Sequence, residues 1–238
     1  MQSPVALLYP PQCASCGEPI EGGLGLCGKC WVDTPFITGH ACGKCSAPLP
    51  GDGDGAVDYC DDCMTIARPW TMGRAALIYR DNARRLVLAL KHGDRLDLVP
   101  PAAGWLMRAG RDLISPEVLV VPVPAHWTRI FTRRYNQAAE LARALAREAR
   151  LSVAPTALIR PRRTDTQDGK GLDQRFANMS GAIRPHPRNG AGMAGRCVLL
   201  IDDVMTSGAT LGAAAEACLE AGAAEVRVLV LARVVKDT

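Results

Sequence analysis

Four cysteine pairs share one spacing: Cys13 and Cys16, Cys27 and Cys30, Cys42 and Cys45, Cys60 and Cys63. Two residues separate the members of each pair, which lets two thiolates of one tight turn reach one tetrahedral ion, with Zn–S near ~2.3 Å. Four thiolates close a structural Zn2+ site, so eight predict two sites. Taken in chain order the sets are Cys13, Cys16, Cys27 and Cys30, then Cys42, Cys45, Cys60 and Cys63. An interleaved cross-brace uses the same residues equally well. Disulfides are the competing use of such cysteines. They are disfavoured because residues 1–11 carry no basic start and no usable apolar stretch for secretion, and cytosolic thiols stay reduced. A redox role for one pair fits poorly with the repetition of all four. Cys197 and Cys218 stand apart, in apolar strand and helix patterns, and are expected to be buried core thiols.

Charge divides along the same boundary. Residues 1–68 hold three basic and eight acidic side chains, a balance of −5, against +9 for the remainder of the 238-residue chain. Two zinc ions with eight thiolates take the first segment to −9, a surface that repels a phosphate backbone. The cysteine-rich part is therefore expected to be a structural or docking element rather than a nucleic-acid reader. Arginine supplies 23 of the 28 basic residues, and its donor fork suits phosphate. An anionic partner is expected on the second part. No apolar run approaches the roughly 18 to 20 residues that span a bilayer, and the protein is expected in the cytoplasm.

Residues 1–67 read as the metal module and 68–238 as a second domain of alternating strand and helix. Strands are expected at 75–79, 118–123, 152–159, 197–201 and 226–235. Helices are expected at 82–91, 100–113, 137–150 (with Asn136 as N-cap) and 210–221. Continuous apolar strands between helices predict an α/β fold, a parallel sheet with helices on its faces. Ligands of such sheets bind beyond the carboxyl ends of the strands, at a topological switch point.

The most informative stretch is VLLIDDVMTSGAT, residues 198–210. An apolar strand runs into Asp202 and Asp203. The small, hydroxyl-rich turn of Thr206, Ser207, Gly208, Ala209 and Thr210 then opens a helix. Backbone N–H groups at a helix start form an anion cradle. The adjacent acids suit a pair of sugar hydroxyls, so together they suit a ribose 5-phosphate. Neither a Walker A motif nor G-x-G-x-x-G falls on this turn.

These thirteen residues resemble the phosphoribosyl diphosphate (PRPP) motif of type I phosphoribosyltransferases. VVPVPAHWTRIFTRR at 120–134, followed by Tyr135, Asn136, Gln137 and Ala138, is similar to a segment of the ComF family. That family joins a double zinc ribbon to a phosphoribosyltransferase domain. Thr38, Gly39 and His40 ahead of Cys42, then Leu90 and Lys91 with Gly93 and Asp94, and Arg163 and Thr164 with Gln167, Arg175 and Asn178, extend the resemblance over most of the chain. Arg134 and Tyr135 depart from it, standing where the family has glycine and phenylalanine. The resemblance implies a type I phosphoribosyltransferase-like sheet and PRPP bound with Mg2+. It also implies a pyrophosphate loop at residues 123–128, including Val123 and Pro124, with Arg129, Arg133 and Arg134 as charge partners. Lys91 is a candidate phosphate ligand. A flexible loop over residues 160–178 would carry Arg163, Thr164, Gln167 and Arg175. The acceptor is expected near residues 160–194 or the zinc module. His40, His92, His126 and His186 show no metal or triad spacing and receive no role.

As to role, the resemblance implies natural competence, with single-stranded DNA or DNA-uptake proteins as partners. Two readings compete with a PRPP-binding phosphoribosyltransferase serving DNA uptake. One is a metabolic transferase of pentosyl groups to a base or amine. The other is a non-catalytic PRPP-sensing adaptor docked through its zinc ribbons.

Overall fold

The computed structural model describes residues 11–20, 25–53, 55–92, 95–126, 135–162, 172–179 and 181–235. In chain order the elements are α1 (Gly28–Val32), α2 (Asp61–Thr65), β1 (Met72–Ile78), α3 (Asp81–His92), α4 (Val99–Ala109), β2 (Leu119–Pro122) and α5 (Gln137–Ala149). They continue with β3 (Ser152–Val153), β4 (Leu158–Ile159), α6 (Leu172–Met179), β5 (Arg184–Pro185), β6 (Cys197–Met205), α7 (Ala209–Glu220) and β7 (Glu225–Arg233).

Five strands form one sheet in the order β1-β7-β6-β2-β3, and every pairing in it is parallel. Its centre is buried on both faces: Leu199, Leu200, Ile201, Val228, Leu229 and Val230 have no exposure. That is why these strands read as unbroken apolar runs rather than alternating ones. Helices α3, α4 and α5 pack on one face, while α7, β4 and β5 pack on the other. From β2 the chain moves outward through α5 to β3, and from β6 it moves the opposite way through α7 to β7. The switch point therefore lies between the carboxyl ends of β2 and β6.

The expected strand over 152–159 is two pieces. Pro155 has no N–H for a ladder, so pairing stops there. Ser152 and Val153 join the main sheet beside β2, whereas Leu158 and Ile159 pair antiparallel with β5 in a separate ribbon. The expected loop over 160–178 also needs correction, because 172–179 is the helix α6. Its Met179 is buried and its Phe176 packs on the same cluster as α7, which gives this short helix an apolar anchor. Cys218 is fully buried as expected, but Cys197 is only partly so.

The cysteine-rich segment is not a separate bead. It runs along β1, the sheet edge: Ile37 donates to Ala76 (2.9 Å), Ile78 to Pro35 (2.8 Å) and Gly73 to Gly43 (2.9 Å). An uncovered edge strand presents free ladder groups to other chains, and here residues 35–43 occupy them. Cys13 and Cys30 pack with the α3 and α4 side of the sheet, and Cys42 and Cys45 with the α7 side. The two clusters thus straddle the edge. Among the described residues no helix is long and apolar enough to cross a membrane.

Candidate functional site

The cysteines gather in chain order. Cys13, Cys16, Cys27 and Cys30 form one set and Cys42, Cys45, Cys60 and Cys63 the other, with the four sulfurs of each within 4.8 Å of one another. The interleaved alternative does not occur. Each half of a set comes from a short turn, and the second halves enter α1 and α2, where Cys27 and Cys60 sit at the N-cap positions. Four thiols in so small a volume cannot all ionise without a cation between them. Sulfur–sulfur contact with Cys45 draws the Cys42 thiol down, while contact with Cys42 pushes Cys63 up. An all-sulfur donor set at these distances fits tetrahedral Zn2+.

The second site lies at the switch point. A cavity of about 440 Å³ opens there, within the size range of small-ligand pockets. Asp202, Asp203, Thr206 and Thr210 line it from β6 and the turn before α7, Val123 and Pro124 from the end of β2, and Lys91 from the end of α3. The structure thus gathers residues from Lys91 to Thr210 of the chain into one cleft. Lys91 Nζ lies 3.2 Å from Asp203 Oδ1, so its partner in this state is the acid rather than a phosphate. Asp202 turns back to accept from the Asp203 N–H at 2.8 Å. Burial, and secondly the charge of Asp203, push its carboxyl up to about 7; Lys91 and Arg160 oppose the shift.

The turn itself is braced from behind. Gly208 holds φ at +83°, a left-handed conformation costly for residues with a Cβ. From there α7 begins, with the positive end of its dipole at the turn. The Arg233 guanidinium, almost fully buried at 4% exposure, donates to the carbonyls of Met205 (3.3 Å), Thr206 (2.5 Å) and Val234 (2.5 Å). Arg68 donates to the Ser207 carbonyl at 2.6 Å. In a trans peptide the next N–H points opposite the carbonyl. Holding the Met205, Thr206 and Ser207 carbonyls inward aims the N–H groups of Thr206, Ser207 and Gly208 the other way, and none of the three donates to a partner among the described residues.

The loop after β2 is fastened at both ends. Val123 donates to Ile201 (2.9 Å), and the Asn136 amide donates to the Val123 carbonyl (3.0 Å) while its oxygen caps α5. Arg129, Arg133 and Arg134 lie outside the described residues, as do Arg163, Thr164 and Gln167. The backbone of Arg175 falls in α6, and its side chain is outside the description. Sequence reading missed several lining residues: Tyr79, Tyr135, Gln137 and Arg160. Tyr135 donates to the Leu90 carbonyl (2.8 Å) and Gln137 to that of Lys91 (3.3 Å), holding the end of α3 over the cleft. Tyr135 and Gln137 belong to the segment read as family-like, but nothing in it marked them as lining the cleft. Arg233 read as one more strand residue, and Arg68 as the first residue of the second domain.

Two family matches cover these two regions. Residues 5–64 match the family described as a double zinc ribbon domain, and residues 136–238 the family described as a phosphoribosyl transferase domain. The chain is thus a double zinc ribbon joined to a phosphoribosyltransferase domain, whose sheet also takes in β1 and β2 ahead of the matched segment. Similarity runs end to end to Competence protein F of Haemophilus influenzae, 26% identical over 223 residues, or 93% of this chain and 90% of that protein. DNA utilization protein YhgH of Escherichia coli K12 is 27% identical over 239 residues, 95% of this chain and 99% of its own. Among solved structures, a hypoxanthine phosphoribosyltransferase from Trypanosoma cruzi aligns at 15% identity and a TM-score of 0.34, over 60% of this chain and 73% of that one. A phosphoribosylpyrophosphate synthetase from Mycobacterium smegmatis aligns at 16% and 0.34, over 60% and 34%.

Proposed function

We propose that this chain binds PRPP in the cleft at the switch point and serves the handling of DNA during its uptake, with phosphoribosyl transfer as its chemistry. The observation that carries the reading is the placing of Asp202 and Asp203 with Thr206 and Thr210 in one cavity, beside a turn whose N–H groups at residues 206–208 have no partner among the described residues. The turn holds the 5-phosphate through the N–H groups of Thr206, Ser207 and Gly208, with Thr206 and Thr210 hydroxyls beside it. Asp202 and Asp203 accept from the ribose diol, and their negative charge favours the cation-like ring of the transition state. In transfer, the bond from C1 to the pyrophosphate oxygen breaks and the leaving group takes the electron pair. The acceptor then bonds to C1 and gives up its proton. Mg2+ bound with the diphosphate would supply neutralisation of the leaving charge. Val123 and Pro124 stand where that group departs, with Arg129, Arg133 and Arg134 following in sequence. The DNA role is supported by the names of the two end-to-end relatives.

Calorimetry with Mg·PRPP tests the assignment. Asp202→Asn combined with Asp203→Asn is expected to lower affinity by at least about a hundredfold, two charge-assisted contacts being lost. Unchanged affinity in a folded double variant would remove the site. Release of pyrophosphate with a panel of acceptors separates transfer from binding alone.

A further inference from the structure

Arg68 belongs to the short segment between the last zinc ligand and the first strand, and it reaches into the phosphate turn. Two contacts fix that reach. Its Nη1 donates to the Ser207 carbonyl at 2.6 Å. It also occupies the space beneath Gly208, where an added Cβ would lie 2.5 Å from the same nitrogen. The guanidinium stacks over Trp70, 5.4 Å from the ring centre.

Trp70 is in turn locked to the second cysteine cluster. Its indole N–H donates to the Lys44 carbonyl (2.7 Å), and Lys44 Nζ donates back to the Trp70 carbonyl (2.6 Å). Lys44 sits between Cys42 and Cys45, and Trp70 is 1% exposed. Upstream, α2 carries Cys63 and ends where Ile66 donates to Asp62. The segment holding Arg68 is therefore tied at one end to the helix that carries Cys63 and at the other to Lys44, which lies between Cys42 and Cys45.

We infer that Arg68 is a positioning residue that carries the state of the second zinc site to the phosphate turn, so that metal occupancy there sets the strength of 5-phosphate binding. The inference rests on the site reading above. With the metal in place, Trp70 and α2 hold Arg68 against Ser207, and the Gly208 N–H points at the ligand. Without it, the cluster loosens, that peptide plane is free to turn, and the cradle loses a preset donor. Linkage is reciprocal: a ligand that needs Arg68 in place must also retain the metal. Arg233, held within the sheet itself, gives the turn a second brace that does not depend on zinc.

The test uses the full zinc-loaded chain with two probes, ribose 5-phosphate and inorganic pyrophosphate. Arg68→Met keeps the stem against Trp70 and removes the donor. It is expected to weaken ribose 5-phosphate about tenfold, the scale of one hydrogen bond to a charged group. Pyrophosphate affinity and a zinc content of two per chain should be unchanged, and Arg68→Lys should recover part of the loss. On the parent chain, ribose 5-phosphate should slow release of one of the two zinc ions to a chromogenic chelator. Arg68→Met should abolish that protection. Parent-like ribose 5-phosphate affinity in Arg68→Met, an equal fall for both probes, or zinc release indifferent to the sugar phosphate would each overturn the role of Arg68. Loss of the site reading gives a different pattern, with ribose 5-phosphate indifferent to Asp202→Asn and Asp203→Asn as well.

Discussion

Asp202 and Asp203 are adjacent in sequence yet meet different surroundings. Asp203 pairs with Lys91, whereas Asp202, in the same cleft, accepts from the Asp203 N–H and is pushed up to about 7, by burial before all else. Both line the cleft but their partners differ, so the pair splits into two roles that the string Asp-Asp does not reveal. The ordinary carboxyl titrates near 3.8. Between about pH 4 and 7 the folded chain therefore holds a proton that the unfolded chain has lost, and stability falls as pH rises through that window. Asp202→Asn removes the slope. The variant is expected to be more stable than the parent at pH 8 by about 1–3 kcal/mol, after discounting for solvent at the cleft, with the difference vanishing near pH 4. Urea midpoints across pH measure this, and parallel curves for parent and variant would contradict it. A cleft that is strained without its ligand and eased by it is the usual bargain of a binding site.

At the scale of elements, β1 shows how the two regions of the chain became one. Its pattern marks a strand, but not that it stands at the sheet edge or that residues 35–43 complete it. Gly73 is where the fit is closest. A Cβ there would stand 2.1 Å from the Lys44 carbonyl oxygen and 2.9 Å from Val228, and backbone cannot yield as a flexible side chain does. Gly73→Ala is expected to cost about 2–3 kcal/mol, or roughly 5–10 °C in Tm for a chain of this size. A Tm within about 1 °C of the parent would show that the two regions are not in register as described. The strand broken at Pro155 and the helix α6 were harder to read. Each is short, and each is set by what it packs against rather than by its own periodicity.

For the whole molecule, the zinc ribbons act as an outer wall of the sheet as well as a possible platform for partners. Cys42 and Cys45 have no exposure and share a cluster with α7, and Cys13 and Cys30 share one with α3 and α4. Metal binding that assembles such a wall contributes directly to folding. Stripping zinc with a chelator and a thiol-blocking reagent is expected to lower the Tm of the entire chain in a single transition. If the phosphoribosyltransferase domain melted unchanged, the ribbons would be shown to be independent. The charge division is consistent with this layout: an acidic wall at one edge leaves the basic remainder open to anions.

Residue chemistry at short range was open to reading from sequence. Four CxxC pairs give thiolates at metal spacing, and an apolar strand, two acids and a small-residue turn give a phosphate cradle. Within each CxxC pair and within the 202–210 turn the participating atoms lie close in sequence, so local geometry suffices. What the chain could not disclose was every contact made across distance. The order of the cysteine sets, the loop–edge pairing on β1, Lys91 against Asp203 and Arg68 beneath Gly208 depend on which faces meet. That is decided by burial of the whole sheet, a sum over many residues that no local segment records.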